Sequence, residues 1–345
     1  MSGKKRVMLI AAVCVIAGAL LSVAAMARVG FDPAGLSTAS YRTRTIDITE
    51  EFSDISIAVS AADVRILPSE DGSCRVVSVE KPDAPNTAEV KDGILTVADT
   101  ARGGHWYEHI GIFFGGESWP SVTIYLPEGV CGDLTCKTAG GDVTVDSGLM
   151  FAGADITTAS GEIRFDAGVD GELRIRTASG DVTSGGAAAN TLFVQTTSGD
   201  VRVTSPDAAQ IELHSTSGDV SLSDAAMPGM LTAETTSGDI TIARAKASSA
   251  SVKAVSGDVS ARELYSTGRL SVQTTSGEIS LTHCDGGTLA LTSVSGDVSG
   301  SLTSHKNFSV RTTSGDVDVP PSVEGAGACD IQTTSGDVSL SVSAN

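Results

Sequence analysis

Residues 194–203 read Val-Gln-Thr-Thr-Ser-Gly-Asp-Val-Arg-Val, and most of this stretch returns along the chain at a nearly fixed interval. The Gly-Asp or Gly-Glu dipeptide at its centre occurs in eleven such copies, 19 to 21 residues apart. The glycines of these copies are Gly141, Gly161, Gly180, Gly199, Gly218, Gly238, Gly257, Gly277, Gly296, Gly315 and Gly336. A short fixed period indicates a solenoid, because one copy is a supersecondary unit that buries its apolar face only against neighbouring copies.

The side chains around the dipeptide alternate between apolar and polar positions. The residue two after each glycine is Val or Ile, and the residues seven and five before it are usually apolar. This period of two, rich in β-branched residues, predicts two strands that each bury one face. We expect the glycine to supply a positive φ in the Ser-Gly-Asp turn between them, and the serine and aspartate to bond free backbone N–H groups.

These patterns predict an all-β protein whose main part is a β-helix-like solenoid of about 19–20 residues per repeat over residues 131–345. Residues 41–130 alternate in the same way without the turn signature. We interpret them as a β capping module that hides the open N-terminal end of the stack. Residues 29–40 are interpreted as a tether.

The first 28 residues form a membrane anchor or a signal segment. Lys4-Lys5-Arg6 precedes an uncharged run over residues 7–27, which Arg28 closes. As one hydrophobic helix this run would measure roughly 31 Å, enough to span a bilayer core, with the basic flank in the cytoplasm and the bulk of the chain outside. The alternative is secretion after cleavage following Ala27, since Ala25-Met26-Ala27 fits a small-x-small cleavage site.

The charge balance excludes some partners. The chain has 23 Lys and Arg against 42 Asp and Glu, a formal net charge of −19. Such a field repels nucleic acid and bare anionic lipid, so no nucleic-acid partner is predicted. It favours cations, basic proteins or a solvated surface that faces the cell wall.

The acidic residue after the turn glycine forms a row along the stack. Its aspartates include Asp181, Asp200, Asp219, Asp239, Asp258, Asp297, Asp316 and Asp337. Carboxylates about 4.8 Å apart are a candidate cation ladder, for Ca²⁺ or another hard cation. In the alternative interpretation each is a turn residue bonded to nearby backbone, and the row faces solvent. The sequence contains no ligand set dense enough to predict a resident metal or a cofactor.

The segment between Gly103 and Pro120 concentrates aromatic residues. They are Trp106, Tyr107, Phe113, Phe114 and Trp119. An exposed aromatic loop of this kind is a candidate binding site for a partner protein, a glycan or the membrane surface. The alternative is that it folds over the open end of the stack as a hydrophobic lid.

No catalytic residues are predicted. Glycoside chemistry needs one specific pair of carboxylates in a groove, whereas the acids of this chain repeat as turn residues. Nucleophile-elbow, P-loop and HExxH motifs are absent from the sequence. A carbohydrate-active β-helix enzyme is therefore only a weak alternative.

Residues 122–127, Val-Thr-Ile-Tyr-Leu-Pro, followed by serial Thr-Thr-Ser-Gly-Asp-Val units, carry a family resemblance. The chain resembles the adhesin-like β-strand-repeat domain of unknown function found in bacterial envelope proteins, over roughly residues 46–340. The resemblance implies a right-handed β-helix-like fold, a surface location behind a single membrane segment and, in some relatives, a link to envelope-stress signalling. It brings no established catalytic residues.

The sequence thus predicts a non-catalytic, membrane-tethered β-solenoid outside the cytoplasm, acting as an interaction or sensing module of the bacterial envelope. Its expected partner is an envelope protein or a wall or surface component. The alternative is a surface adhesin or a structural protein that assembles end to end, because an exposed last copy invites strand addition.

Overall fold

The computed structural model describes residues 27–28, 41–82, 84–99 and 119–343. Apart from the helical pair Ala27-Arg28, every regular element in these ranges is a β-strand. The first strands are β1 (Arg42–Ile48), β2 (Asp54–Val59), β3 (Asp63–Pro68), β4 (Cys74–Glu80), β5 (Asn86–Lys91), β6 (Ile94–Asp99), β7 (Ser121–Leu126), β8 (Val130–Thr138), β9 (Val143–Val145), β10 (Met150–Thr158), β11 (Ile163–Phe165), β12 (Gly168–Val169), β13 (Glu172–Thr177) and β14 (Val182–Gly185). The remaining strands are β15 (Ala188–Thr196), β16 (Val201–Thr204), β17 (Asp207–Ser215), β18 (Val220–Ala226), β19 (Met230–Thr235), β20 (Ile240–Ala247), β21 (Ser249–Ala254), β22 (Val259–Gln273), β23 (Ile279–Thr292), β24 (Val298–Leu302), β25 (Asn307–Arg311), β26 (Val317–Asp318), β27 (Ala328–Gln332) and β28 (Val338–Val342).

The predicted all-β solenoid is confirmed. Each copy of the repeat forms one strand–turn–strand unit, called a coil below, and the coils stack with parallel pairing. Strands before the turn make a first column, in which Ile175 pairs with Val194. Strands after the turn make a second column, in which Val182 pairs with Val201. The connectors add a short third side, as where Ala245 pairs with Leu264. The predicted hydrophobic helix and tether lie almost wholly outside the described residues and remain predictions.

The core is built from the inward rows of the repeat. The Val or Ile two after the glycine is buried in nearly every coil, as Val201 and Ile240 show at 0% exposure. The apolar rows before the turn face them, and Phe151 and Phe165 fill the same space near the N-terminal end. Fully burying one such side chain stabilises the fold by about 1.5–3 kcal/mol, so the stack gains a similar contribution from every coil.

The turn glycines are needed for close packing and not for the positive φ expected from the sequence. Among the eleven, only Gly315 has a positive φ. A Cβ added at Gly218 would lie 2.0 Å from the carbonyl oxygen of Gly199 on the previous coil. The prediction of a positive φ was wrong, and glycine is needed for another reason: the turns stack directly on one another and leave no room for a side chain. The left-handed backbone lies instead at the corner after the second column, at Gly186 (φ 73°) and Ser205 (φ 50°), for example.

Antiparallel strands close the N-terminal end of the stack. Strand β7 pairs with β4, β4 pairs with β1, and β5 pairs with β6. The buried carboxylate of Glu80, at 2% exposure, joins these strands. It accepts hydrogen bonds from Nε and Nη2 of Arg42, at 3.3 and 3.2 Å, and from the backbone N–H of Asn86 at 2.7 Å.

The coils at both ends are stacked out of sequence order. The coil of β2 and β3 lies between the coil of β6 and β7 and the coil of β8 and β9. At the other end the coil of β27 and β28 lies between that of β23 and β24 and that of β25 and β26. Val338 therefore pairs with both Val298 and Val317. The expectation that the last copy forms the exposed end is wrong, since the penultimate copy lies outermost.

Candidate interaction surfaces

The acidic row forms a hydrogen-bonded ladder between coils. The backbone N–H of Asp219 donates to Oδ1 of Asp200 at 2.9 Å, and that of Asp239 donates to Oδ1 of Asp219 at 2.8 Å. Each aspartate carboxylate thus replaces the backbone carbonyl that a regular parallel ladder would offer at this position. The ladder continues as the N–H of Asp258 donates to Asp239 and that of Glu278 donates to Asp258. Within the described residues, Glu278 does not accept the corresponding bond from Asp297.

A hydroxyl row runs beside the acidic ladder. Three residues before the glycine, Oγ1 of Thr235 donates to the carbonyl oxygen of Gly218 at 3.0 Å, and Oγ of Ser293 donates to that of Gly277 at 3.2 Å. Thr235 is buried at 4% exposure, so this bond satisfies its hydroxyl away from water. The Ser-Gly-Asp turn therefore continues the ladder of the strands instead of interrupting it.

The aspartates proposed as a cation ladder are exposed, and all of them except Asp316 use one oxygen for the backbone bond just described. Across the described ranges no three His, Cys, Asp or Glu side chains form a metal-binding cluster. The backbone-bonded turn interpretation accounts for the geometry of this row. Cation binding by its outer oxygens stays a prediction.

The aromatic loop was the main binding site proposed from the sequence. Its residues Trp106, Tyr107, Phe113 and Phe114 lie outside the described residues. Trp119, directly before β7, is 67% exposed. The choice between a binding loop and a lid therefore stays a prediction.

An aromatic and cationic patch lies on the outward face of the first column. We call it the Phe193 patch, and it consists of Arg174, Arg176, Phe193 and His214. The guanidinium carbons of Arg174 and Arg176 lie 5.7 and 5.6 Å from the centre of the Phe193 ring, within the range of cation–π attraction. The imidazole ring of His214 lies 5.7 Å from the same ring, tilted by 41°.

Acidic side chains hold the patch in place. Arg174 donates two hydrogen bonds to Oε1 of Glu172, and Nη1 of Arg176 lies 3.6 Å from Asp155. Nδ1 of His214 lies 3.5 Å from Oε2 of Glu234. Both arginine side chains remain 38% exposed. Since a guanidinium carries five N–H donors, each keeps donors that face solvent.

The sequence analysis missed this patch, although a signal was present. In the row of Phe193, the next coil carries Glu212, and later coils carry Thr232, Ser251 and Ser271. The fold therefore accepts polar residues of different sizes at this outward position, and an aromatic residue there departs from the repeat for another reason.

A shallow groove of about 350 Å³ adjoins the patch. Asp133, Thr135, Asp155 and Arg174 line it, and Gly153 opens space between them. Its size is at the lower end for small-ligand sites. Patch and groove share Arg174 and therefore form one continuous surface.

The repeat and the stacked coils point to one family. Residues 52–250 and 229–345 both match Toastrack DUF4097. The chain belongs to the Toastrack DUF4097 family. The resemblance read from the Ser-Gly-Asp repeats is therefore confirmed.

Solved structures resemble this Toastrack chain over most of its length. A candidate adhesin from Bacteroides fragilis NCTC 9343 is 15% identical, with 88% of this chain and 99% of that chain covered and a TM-score of 0.35. A candidate lipid-binding protein from Parabacteroides distasonis ATCC 8503 is 16% identical, with 76% and 98% covered and a TM-score of 0.40. Among curated proteins, none matches the chain.

A second depression of about 310 Å³ lies on the connector side of the Toastrack stack, lined in part by Lys246, Tyr265, Asp285 and Lys306. Nζ of Lys306, whose side chain is 5% exposed, lies 2.6 Å from Oδ1 of Asp285 and donates to the carbonyl oxygen of Gly286 at 2.6 Å. This pair anchors the segment that leads to the outermost coil. We therefore assign a structural role, and not a binding role, to the Lys306–Asp285 pair.

The described part of the Toastrack chain contains no helix with the length and apolar character needed to cross a bilayer. Its five cysteines there, Cys74, Cys131, Cys136, Cys284 and Cys329, are all free thiols. Burial raises the pKa of Cys136 and of Cys329 to about 12, so neither supplies a thiolate nucleophile at neutral pH.

Proposed function

We propose that this Toastrack protein is a non-catalytic, membrane-tethered module outside the cytoplasm that binds an envelope protein or a wall component. The observation that carries the proposal is the Phe193 patch. The row of Arg174 and Phe193 holds Thr232, Ser251 and Ser271 in later coils, and the row of Arg176 and His214 holds Glu234, Lys253 and Gln273. Stacking therefore does not require the arginines, the phenylalanine or the histidine at these positions. Arginine and aromatic side chains are also the residues that contribute most to binding interfaces.

The surroundings of the groove favour binding over catalysis. A general acid in glycoside chemistry is kept in an apolar pocket that raises its pKa. Here Glu172 and Asp155 are 45% and 44% exposed, and each faces an arginine. Carboxylates in this setting suit recognition of a ligand better than proton transfer.

Photo-crosslinking in intact cells tests the proposal. In one variant a photoreactive residue replaces Gln195, which lies in the coil of Phe193. In a control variant the same photoreactive residue replaces Gln273, which lies on a later coil. We expect Gln195 alone to capture one envelope component, and the triple variant R174S/R176S/F193T to lose that capture. Equal capture from both positions, or capture unaffected by the triple variant, would contradict the proposal.

A surface adhesin or self-assembling protein is the second candidate, because the outermost coil at the far end of the stack offers open strand edges, although its acceptor groups do not match those of a second outermost coil. Sedimentation of the full-length chain over a range of concentrations distinguishes it. Assembly that grows with concentration would support this candidate, and a constant monomer would count against it.

A further inference from the structure

Most coils have two different faces at the turn. Toward the preceding coil such a coil offers donors, as when the hydroxyl of Ser215 donates to the carbonyl oxygen of Gly199 and the N–H of Asp219 donates to Oδ1 of Asp200. Toward the following coil it offers the glycine carbonyl, the aspartate Oδ1 and the N–H of the following Val or Ile. Val201 shows the last of these, since its N–H donates to the carbonyl oxygen of Asp219 at 2.8 Å. Two coils therefore fit together only when the donor face of one meets the acceptor face of the other.

The outermost coil keeps the second of these faces open. Gly315, Asp316 and Val317 are all exposed, and the Val317 side chain is 47% exposed, whereas the corresponding Val338 is buried at 1%. Within the described residues, the Gly315 carbonyl and the Asp316 carboxylate accept no hydrogen bond, and the Val317 N–H donates none. Val338, one coil inward, donates its N–H to the carbonyl oxygen of Asp316 at 2.9 Å, so the Val317 N–H points away from the stack.

The chain covers only the beginning of this coil. The backbone N–H of Phe308 donates to Oγ of Ser322 at 2.9 Å, and the N–H of Val323 donates to the carbonyl oxygen of Lys306 at 3.2 Å. These contacts protect the start of β25 and stop before the turn. The open groups are thus the turn and β26.

We propose that the Gly315 turn and β26 form a docking site for a segment of another protein that adds one more coil and carries Ser or Thr, any residue, and then Ser-Gly-Asp-Val. The hydroxyl of its first residue donates to the Gly315 carbonyl, its aspartate N–H donates to the Asp316 carboxylate, and its aspartate carbonyl accepts from the Val317 N–H. This continues the coil-to-coil interface already present inside the stack. The inference deepens the proposed function by naming the sequence chemistry of a partner.

The geometry does not favour a second copy of this chain as the occupant. Two outermost coils placed face to face would oppose acceptors to acceptors. The opposite end of the stack is covered by the antiparallel strands β1, β4 and β5, so it does not present the matching donor face. The chain itself shows that a coil can add out of sequence, since β27 and β28 pack on the Gly296 coil although they follow β25 and β26.

A labelled peptide with the sequence of residues 208–224 is the probe, and fluorescence anisotropy with the full-length chain in mild detergent is the measurement. We expect binding that weakens about tenfold in Asp316→Ala and in Val317→Pro, because each removes one of the open groups. Asp318→Ala, with the same loss of charge, should bind like the unmodified chain. The peptide with Gly218→Val should not bind, because its side chain occupies the space of the Gly315 carbonyl.

Asp316→Ala removes no side-chain hydrogen bond among the described residues, so the melting temperature should be unchanged, which separates lost binding from lost folding. Absence of peptide binding, or equal binding to the Asp316 and Asp318 variants, would overturn the inference. So would self-association of the chain that Asp316→Ala abolishes, since the occupant would then be a second copy. Lost peptide binding with crosslinking from Gln195 retained would reject this inference and leave the proposed function standing.

Discussion

At the scale of single residues, each position of the repeat has one physical task. Glycine permits contact between stacked turns, aspartate accepts a backbone N–H from the next coil, and the hydroxyl residue bonds a glycine carbonyl. The role of a glycine depends on its position in the coil, because some glycines outside the turn are needed for their backbone conformation and not for close packing. Gly186, for example, has a left-handed backbone with open space around its Cα.

Substituting these two kinds of glycine with alanine should give different losses. Gly218→Ala places a Cβ 2.0 Å from the Gly199 carbonyl oxygen and should lower the free energy of unfolding by about 3 kcal/mol or more. Gly186→Ala meets no atom within 4 Å and should cost only about 1 kcal/mol, from its left-handed backbone. Urea unfolding of both variants measures the difference. Equal losses would show that backbone conformation, not close approach, explains the turn glycine.

The aspartate ladder gives a second test at this scale. Asp219→Ala leaves the Asp239 N–H without its acceptor and should lower the free energy of unfolding by about 1 kcal/mol. Asp219→Asn keeps an acceptor oxygen and removes like-charge repulsion along the row, so its stability should equal or exceed that of the unmodified protein. If urea unfolding showed Asp219→Asn to be as unstable as Asp219→Ala, the negative charge itself would be required, and a bound cation would become the better explanation.

At the scale of strands and connectors, the buried ion pair near the far end holds an unusual connection. The segment from β24 to β25 passes the coil of β27 and β28 before it reaches the outermost coil. Lys306 lies at the end of this segment and bonds Asp285 and Gly286. Burial of Asp285 tends to raise its pKa, but hydrogen bonds from Lys306, Ser304 and Thr303 hold the pKa below its ordinary value of 3.8.

The lowered pKa predicts the sign of a pH effect. A carboxyl group whose pKa is lower in the folded state stabilises the fold fully above its unfolded pKa, about 3.9, and this stabilisation is lost as the pH falls through the folded value. Asp285→Asn should therefore reduce the free energy of unfolding at pH 7, and the difference from the unmodified protein should shrink below about pH 4. Urea unfolding from pH 7 to pH 2 measures it, with exposed Asp318→Asn as control. A difference independent of pH would contradict the assigned role of the pair.

At the scale of the whole molecule, the strands and their buried faces were predictable, and the order of the coils was not. The Val/Ile row predicts burial at Val201 or Val338 because period-two alternation fixes which face points inward. The same regularity hides coil order, since Val298 meets an equivalent valine whether its neighbour is Val317 or Val338. The candidate site was equally hidden: Phe193 is visible as an outlier, but its contacts with Arg174 and His214 come from coils on either side of it.

Hydrogen exchange tests the coil order directly. The amide of Val338 is bonded inside the stack, whereas that of Val317 faces outward, so Val338 should exchange more slowly although it comes later in the chain. Exchange followed residue by residue by NMR or by fragment mass spectrometry measures the two. Protection that declined steadily toward the C-terminal coils would mean that the copies stack in sequence order. Asp316→Ala should leave the order of protection unchanged.

The inserted coil has a consequence for biosynthesis. A ribosome releases residues 307–327 before residues 328–342, yet the later residues fill the space between the earlier ones and the rest of the stack. In the finished stack the outer coil lies about two strand spacings, roughly 9.6 Å, from the Gly296 coil, so adding coils in the order in which they emerge would give a different arrangement. A chain interrupted before residue 342 lacks part of the inserted coil and leaves strand edges unmatched. Interrupted synthesis at this end therefore leaves an incompletely folded chain, which is a substrate for the proteases that degrade misfolded proteins.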